Sequence, residues 1–433
     1  MRRLLLIAAR NLRQNRKRTA LLGIAIASVT ALLVLLTSVS NGIQDTMLRA
    51  ATTLSTGHVN VGGFFKITSG QAAPVVTDYN KVKEFLRKKL PEAREVADRL
   101  RGWGKVVSPA TSIQVGISGL DVKAEPGLSK VIRVIHGKLE DLSKPSSILL
   151  FEKQAKRLEV KVGDGVTISA PTVRGSYNAI DVTVVAIAKD IGLLSGFNVF
   201  TPKQTVRDIY LLGANTTGAI HIMLADHRKS AAVADKLRGL LRDAGYKMME
   251  PLAQPFWMKF PLVTREDWTG QKLDVTTWED EMAFLKWIIA TFDGISASVV
   301  GILMIIIVVG VMNALWMAIR ERTREIGTLR AIGMSRGRVM LMFLFEAMLL
   351  SAIFTVVGAI VGVAASGAIN AASIELNEGF TLFLMNDTLR LVVAPKSVIN
   401  GIVTITFVTT LFALYPAYRA ARMKPVTAIH HVG

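Results

Sequence analysis

The chain has 433 residues, of which 51% are hydrophobic, and its formal net charge is +19 at pH 7. The basic residues flank apolar runs instead of forming one basic domain with interleaved aromatic residues, so the charge indicates a membrane protein and argues against a nucleic-acid-binding one. The sequence has no cysteine, which excludes disulfides, thiolate metal sites, a cysteine nucleophile and a lipid-modified cysteine.

Four stretches without a charged residue are each long enough to cross a bilayer as a helix. They hold 26, 26, 28 and 22 residues and lie between Arg18 and Asp45, Asp293 and Arg320, Glu346 and Glu375, and Lys396 and Arg419. Because about 20 apolar residues span the hydrocarbon core, we predict transmembrane helices at 20–41, 295–318, 341–368 and 398–417. The basic start of the first stretch is also typical of a signal peptide, but its apolar run is longer and no small-x-small cleavage site ends it.

The distribution of Lys and Arg predicts the orientation. Residues 1–19 hold seven basic residues and no acidic one, residues 320–338 hold six basic and two acidic, and residues 419–433 hold three basic and none acidic. With four spans these segments share one side, which the positive-inside rule places in the cytoplasm. The opposite side then holds the large segment 45–293 and the short loop 375–396.

We therefore predict an α-helical membrane protein with four transmembrane helices and a mixed α+β extracytoplasmic domain between the first and second helices. The predicted order is a cytoplasmic N-terminal segment 1–19, the first helix 20–41, an extracytoplasmic domain with helical stalks 42–294, the second helix 295–318, a cytoplasmic coupling helix 319–340, the third helix 341–368, an extracytoplasmic loop 369–397, the fourth helix 398–417 and a cytoplasmic C-terminus 418–433.

Local patterns in the outer segment predict both helices and strands. The stretch 78–90 has apolar residues at helical spacing, and 229–245 predicts a second helix closed by Gly245. Two alternating, β-branched stretches, VKVGDGVTISA and AIDVTVVAIA, predict strands, with a turn at 163–165. The four histidines of this segment are scattered without a metal-binding pattern, so we predict no metal site.

The two ends of the outer segment both predict helices that continue the membrane spans. In TTWEDEMAFLKWIIATFDG, apolar residues recur every three or four positions, which indicates an amphipathic helix running into the second span, with Glu279, Asp280 and Glu281 on its solvated face. Asp45–Leu54 can continue the first span outward in the same way. Both helices are expected to carry movement from the membrane to the outer domain.

The predicted cytoplasmic parts are too small for a catalytic domain. The segments 1–19, 320–338 and 419–433 total 53 residues. No G-x-x-x-x-G-K-[ST] loop, the phosphate-binding motif of many ATPases, occurs in the sequence. The stretch GWGKVVS at 102–108 has a Gly-Lys pair but lacks the first glycine and the hydroxyl residue. We therefore expect that a partner subunit supplies any ATP hydrolysis.

The stretch REIGTLRAIGMSRGRV (324–339) joins the second and third predicted spans and is too charged to enter a bilayer. Ile326, Leu329 and Ile332 form an apolar stripe at helical spacing, and the arginines project elsewhere. The glycines permit close approach to another backbone and a sharp reversal. Two interpretations stay open on physical grounds: a coupling helix that docks into a soluble ATPase, or an interfacial helix anchored to anionic lipid.

The segment 320–351, RERTREIGTLRAIGMSRGRVMLMFLFEAMLLS, resembles the signature of the FtsX-like permease family. These are membrane subunits of ABC systems and include MacB-type and lipoprotein-releasing, LolC/LolE-like permeases. The family pattern is R-x-x-E-I-G-x-x-[RK]-A-x-G, then F-x-x-E-A and a glycine-bearing helix. The matching residues are Arg322, Glu325, Ile326, Gly327, Arg330, Ala331, Gly333, Phe343, Glu346, Ala347, Gly358 and Gly362.

Two further segments carry the resemblance. The ending LYPAYRAARMKPVTAIHHV (414–432) is similar to the family's closing P-A-x-x-A-A-x-x-x-P-x-x-A-[LI] motif, through Pro416, Ala417, Ala420, Ala421, Pro425, Ala428 and Ile429. The segment 149–168 is similar to one common in the outer domains of these permeases, although Phe151 and Glu152 stand where a glycine is expected. The order of one span, an outer domain and three spans also matches.

The resemblance implies a mechanical role. Two permease chains, identical or different, would assemble with two copies of a separate ATPase that binds ATP and Mg, so the chain itself would have no cofactor and no catalytic residue. The residues implied at the ATPase interface are Arg324, Glu325, Ile326, Gly327, Leu329, Arg330, Ile332 and Gly333. Glu346, inside the third span, is expected either to contact the loop arginines or to snorkel to the interface.

Two classes of function remain open at this point. One is the extraction or export of lipoproteins or amphiphilic substrates, with a periplasmic adaptor, a lipoprotein or a carrier, and membrane lipid, as further partners. The other is a signal transmitter that activates a periplasmic partner such as a cell-wall hydrolase. The size of segment 45–293 favours the first, since hydrolase activators of the family resemble a smaller outer domain. Both place the chain in the inner membrane with its large domain in the periplasm.

Overall fold

The computed structural model describes residues 2–14, 16–68, 70–172 and 175–423. Its helices are α1 (Arg2–Gln14), α2 (Arg16–Leu54), α3 (Tyr79–Lys89), α4 (Leu128–Val131), α5 (Glu152–Leu158), α6 (Gly192–Phe197), α7 (Lys203–Tyr210), α8 (Ser230–Asp243), α9 (Phe260–Arg265), α10 (Trp278–Glu281), α11 (Ala283–Glu321), α12 (Thr323–Ala331), α13 (Arg336–Ala372), α14 (Glu378–Leu384) and α15 (Pro395–Ala421). Part of the closing sequence motif, including Pro425, Ala428 and Ile429, lies outside the described residues.

The strands are β1 (Val59–Thr68), β2 (Gln71–Ala73), β3 (Val76–Thr77), β4 (Ala93–Val107), β5 (Ser112–Leu120), β6 (Val134–Gly137), β7 (Ser147–Phe151), β8 (Gly165–Pro171), β9 (Tyr177–Ala188), β10 (Asn198–Pro202), β11 (Thr216–Thr217), β12 (Ala219–Leu224) and β13 (Gly270–Thr277). The chain divides into two compact units. We call residues 1–45, 289–375 and 388–433 the membrane unit, and residues 46–288 and 376–387 the outer unit.

Within the described residues, four helices are long and apolar enough to cross a membrane: Thr19–Leu54, Ala283–Glu321, Arg336–Ala372 and Pro395–Ala421. Each contains one of the predicted spans. Between the first and second lies a domain that mixes strands and helices. The predicted fold class, a four-helix membrane protein with a mixed α/β domain between its first two spans, is therefore confirmed.

The third membrane helix packs closely against the first because small residues meet at the crossing. A Cβ atom on Gly358 would lie 2.3 Å from the carbonyl oxygen of Ala27, and one on Gly362 would lie 2.8 Å from Cβ of Val34. Two glycines four residues apart allow two helix backbones to approach each other in a membrane. The glycines that match the family pattern thus fix where α13 crosses α2.

The outer unit is organised around one large sheet. Its strand order is β13-β1-β12-β4-β5-β10-β7-β9-β6, with β2 pairing with β1, and β8 pairing with β4 and β9. One hydrophobic cluster includes Val96, Leu86 and Leu237, and a second includes Leu100, Leu158 and Val206. Because β4 contributes Val96 to the first cluster and Leu100 to the second, this long strand joins the two halves of the unit.

The predicted elements of the outer segment are present. Helices α3 and α8 fall inside 78–90 and 229–245, and β8 and β9 fall on the two alternating stretches. The turn between α5 and β8 contains Gly163 with φ +101°, a backbone conformation that glycine adopts without steric cost.

The helix predicted to run from Trp278 into the second span is interrupted. It ends at Glu281, and a new helix begins at Ala283 after Met282, whose φ of −119° and ψ of 44° are not helical. The acidic residues are half-buried here and do not form a purely solvated face. Thr277 is the N-cap of α10, and its N–H and Oγ1 donate to the Asp280 carboxylate, while Glu281 accepts a hydrogen bond from Thr276 Oγ1 at 2.8 Å. By contrast, α2 continues without a break to Leu54.

The loop between the third and fourth membrane helices is partly built into the outer unit, which the sequence did not predict. Residues 376–387 pack with that unit, and α14 lies against α6. The Asp387 carboxylate lies 2.9 Å from Lys189 Nζ and 3.1 Å from Arg133 Nη1, and these charges lower the pKa of Asp387 even though burial acts to raise it. Within the predicted loop 369–397, Asp387 is therefore attached to the rest of the outer unit by ion pairs with Arg133 and Lys189.

Candidate functional site

The connection between the second and third membrane helices forms a short helix with a fixed end. Helix α12 begins at Thr323, and the chain reverses at Gly333, whose φ is +100°. The N–H of Met334 donates to the carbonyl of Leu329 at 3.0 Å, and the N–H of Gly333 donates to that of Arg330 at 3.2 Å. This pair of hydrogen bonds is a Schellman motif, which ends a helix at a left-handed glycine. The predicted helix 319–340 is therefore three pieces: the end of α11, α12 and the start of α13.

The inner face of α12 packs inside the membrane unit. Ile326 is 1% exposed and belongs to a hydrophobic cluster with Val339, Phe343 and Ala417, and Gly327 is also buried. Ile326 thus packs within this chain, whereas Ile332 is 85% exposed. The docking stripe of Ile326, Leu329 and Ile332 stays a prediction, and Ile332 is its most exposed member.

A hydrogen bond from Arg330 ties α12 to the fourth membrane helix. Its Nη1 donates to the carbonyl oxygen of Ala421 at 2.8 Å, across 91 residues of sequence. That carbonyl belongs to the last turn of α15, where helix carbonyls lack intrahelical partners. Arg330 and Leu329 are half-buried. The Arg330 side chain is therefore directed at α15 of the same chain.

The outward face of α12 consists of residues spaced four apart. Arg324, Thr328 and Ile332 are all exposed, as are Glu325 and Gly333, and Ile332 is 85% exposed. Residues at i, i+4 and i+8 lie along one side of a helix. A charged, a polar and a large apolar side chain are thus presented together on a helix whose opposite side is fixed.

Glu346 and Arg322 form an ion pair inside the membrane unit. Arg322 Nη1 lies 3.3 Å from Glu346 Oε2, and the two side chains are only 10% and 6% exposed. Of the two expectations for Glu346, contact with an arginine fits this geometry, whereas snorkelling does not, since the side chain is buried. Arg322 stands in the break between α11 and α12, so the pair fixes the start of α12 to α13.

Arg322 was not among the residues predicted at the site. One signal in the sequence could have indicated it: Glu346 is an acidic residue beside the long uncharged run of the third span, in a chain whose adjacent loop holds six basic residues. A buried carboxylate requires a cationic partner. Sequence alone does not say which arginine is that partner.

Elsewhere, the described residues contain no group of three or more His, Cys, Asp or Glu side chains that could hold a metal ion. The rings of His58 and His227 lie 6.1 Å apart. His136 is exposed and His221 is buried, where burial lowers its pKa well below the usual value.

Comparison with known proteins gives two family matches. The family described as "FtsX-like permease C-terminal" matches residues 297–425, and the family described as "MacB-like periplasmic core domain" matches residues 19–240. The second match alone covers half of the chain. Together they include all four membrane helices and most of the outer unit.

Similar curated proteins include the macrolide export ATP-binding/permease protein MacB of Neisseria gonorrhoeae, 29% identical over 223 residues, which are 51% of this chain and 31% of the relative. A permease of Bacillus subtilis, described as the uncharacterized ABC transporter permease YknZ, is 27% identical over 170 residues, 39% of each chain. The matched stretches thus span about a third of the length of these relatives.

Solved structures with a similar outer domain include the periplasmic region of MacB from Actinobacillus actinomycetemcomitans, with 15% identity, a TM-score of 0.30, and coverage of 53% of this chain and 94% of that one. The extracellular domain of the YknZ transporter from Gram-positive bacteria has 13% identity, a TM-score of 0.30, and coverage of 43% and 96%.

Proposed function

Because the chain belongs to the FtsX-like permease family with a MacB-like periplasmic core domain, we propose that it is the membrane subunit of an ABC transporter whose separate ATPase moves the outer domain. The outer domain then lies in the periplasm and the four helices in the inner membrane. The cargo class that we propose is lipoproteins or amphiphilic substrates, extracted or exported by movement of the outer domain.

One observation supports this proposal most directly: α12 is attached to the rest of the membrane unit on one side and is exposed on the other. Arg322, Ile326 and Arg330 attach it to α13, to the internal cluster and to α15, so a push on its outer face moves the membrane helices instead of bending a loop. An interfacial lipid anchor would need no such rigid attachment. Two copies of the ATPase and a second permease chain remain part of the proposal.

Ile332 is the residue with which to test docking. Its side chain is 85% exposed, so a substitution removes little packing within the chain. We expect Ile332→Asp to abolish co-purification of the ATPase and its stimulation by the permease, whereas Ile332→Leu, the matched control, keeps both. Full stimulation by Ile332→Asp would refute docking at this face. Under the lipid-anchor interpretation, Ile332→Asp leaves ATPase co-purification and stimulation unchanged, because the helix then contacts lipid and not the ATPase.

The purified permease alone provides a second test. If the proposal is correct, ATP hydrolysis follows the partner subunit through purification, and the chain freed of that subunit hydrolyses no ATP. ATP hydrolysis by the chain itself, in a preparation from which every other protein is removed, would contradict the division of labour between the two subunits.

A further inference from the structure

A buried arginine holds the end of the first membrane helix inside the outer unit. Helix α2 ends at Leu54, and the side chain of Arg99 on β4 donates from Nη1 to the carbonyl oxygen of Leu54 at 2.9 Å and from Nη2 to that of Thr53 at 2.7 Å. The last four carbonyls of a helix have no partner within the helix. The planar guanidinium can satisfy two of them at once, which a lysine ammonium cannot do with the same geometry.

Glu125 completes the surroundings of Arg99. Its two carboxylate oxygens accept from Arg99 Nε at 3.0 and 2.9 Å, and Nη2 also contacts the carboxylate. The Arg99 and Glu125 side chains are 4% and 7% exposed. Because the carboxylate neutralises the buried charge and fixes the plane of the guanidinium, the remaining donors are directed at the helix end.

Arg101 lies two residues farther along β4 and faces α10, the short helix that precedes the second membrane helix α11. Side chains at i and i+2 in a strand share a face. The Arg101 guanidinium carbon lies 3.4 Å from the centre of the Phe256 ring, and its Nη1 lies 3.9 Å from Glu281 Oε2. Glu281 ends α10, which leads through Met282 into α11. One face of β4 thus contacts the outer end of α2 and the short helix α10 that precedes α11.

We propose that β4 is the strand through which the outer unit receives movement of the two membrane helices, with Arg99 as the positioning residue at the first and Arg101 at the second. This inference rests on the proposed function, in which such movement must reach the outer domain. A helix end that frays would absorb a displacement, whereas one bonded to a central strand passes it on. β4 pairs with β12, β5 and β8, and so distributes that displacement to both hydrophobic clusters.

The strand itself offers a matched control for Arg99. Asp98, the preceding residue, has a side chain that is 2% exposed, with Lys83 at 2.5 Å and Lys203 at 3.1 Å. These lysines belong to α3 and α7, and neither belongs to a membrane helix. Arg99→Lys keeps the charge beside Glu125 but loses the two-pronged cap, while Asp98→Asn disturbs an equally buried ion pair on the opposite face.

Hydrogen–deuterium exchange of the full chain in nanodiscs tests the cap. The amides of Ser55 and Thr56 donate to the carbonyl of Ala51, and they depend on the last turn of α2. We expect Arg99→Lys to make these two amides exchange about tenfold faster, as for loss of a helix cap, and Asp98→Asn to leave them unchanged. If these amides exchange faster by the same factor in both variants, or no faster in Arg99→Lys, Arg99 is not the residue that caps α2.

Exchange measured in the complex with the co-purified ATPase tests transmission. On addition of the non-hydrolysable analogue AMP-PNP, wild type and Asp98→Asn should change protection both in α12 and in strands β5 and β10. Arg99→Lys should change protection in α12 alone. A change in all three segments in Arg99→Lys overturns the inference. If α12 of the wild type shows no change, the proposed function itself fails, and the Ser55 and Thr56 amides still decide whether Arg99 caps the helix.

Discussion

Arg322 and Glu346 form a buried ion pair in which Nη1 lies 3.3 Å from Oε2, and they join the end of the second membrane helix to the third. The two residues are 24 positions apart in sequence. Both belong to the motif by which the chain resembles FtsX-like permeases. The pair gives these two motif residues a physical role in this chain, since each compensates the charge of the other.

Breaking this pair from one side should be costly. We expect Arg322→Met or Glu346→Leu alone to lower the free energy of unfolding by about 3–5 kcal/mol, because the remaining charge stays buried without its partner. The double variant Arg322→Met/Glu346→Leu should recover most of the loss, since two apolar side chains replace two charges. Denaturant titration of the protein in detergent measures all three. Arg320→Met, at an exposed position two residues before Arg322, is the control and should have little effect. Simple addition of the two single losses in the double variant would show that the residues do not interact.

Gly333 should resist substitution for reasons of backbone conformation. Its φ is +100° with no atom within 4 Å of an added Cβ, so Gly333→Ala introduces conformational strain but no collision. We expect a loss of about 1–2 kcal/mol. Gly337→Ala is the matched control: it has the same open surroundings within a helix and ordinary φ, and should be neutral or stabilising. Thermal unfolding compares the two. Equal melting temperatures would mean that the turn does not require a left-handed residue.

At the crossing of the first and third membrane helices, a single methyl group should separate the backbones. In Gly358→Ala the new Cβ would lie 2.3 Å from the carbonyl oxygen and 2.8 Å from Cα of Ala27, and neither atom belongs to a side chain that can rotate away. Overpacking of this kind costs roughly 1–3 kcal/mol. Gly367→Ala, on the same helix with nothing within 4 Å, should show no such loss. Because alanine favours a helix over glycine, a loss at Gly358 but not at Gly367 would reflect the contact, and a loss of equal size at both positions would contradict it.

The outer unit should become less stable in mild acid because of His58. Burial, together with the neighbouring charge of His227, lowers the pKa of His58 to about 4 from its usual 6.5. Since the unfolded chain then binds a proton more readily than the folded one, the contribution of His58 is complete above pH 6.5 and is lost as the pH falls towards 4. Its Nδ1 also accepts the N–H of Leu224 at 2.9 Å, a contact that a proton on that atom would remove.

The measurement is thermal unfolding of the full chain at several pH values between 4 and 7. His58→Gln should flatten the fall in melting temperature across this window, whereas His136→Gln, at an exposed position, should reproduce the wild-type profile. If the profiles of wild type and His58→Gln coincide, His58 does not control the acid sensitivity.

Local features were predictable from the sequence because local physics sets them. The membrane helices follow from four uncharged stretches longer than a bilayer is thick. Helices α3 and α8 follow from apolar residues at helical spacing, and the end of α8 follows from Gly245, whose φ is +85°. The motif that includes Gly333 and Glu346 indicated the family and the position of the candidate site.

By itself, then, the sequence determined the number of spans and their order around a mixed α/β domain. Tertiary structure alone decided which side of α12 is exposed, because Ile326 is buried by residues of α13 and α15 that periodicity cannot identify. The same holds for Arg330 on Ala421 and Arg99 on Leu54, whose partners lie 91 and 45 residues away. In an unfolded chain, a hydrogen-bond donor can reach many different acceptors. Only the packing of the folded chain selects which acceptors it contacts.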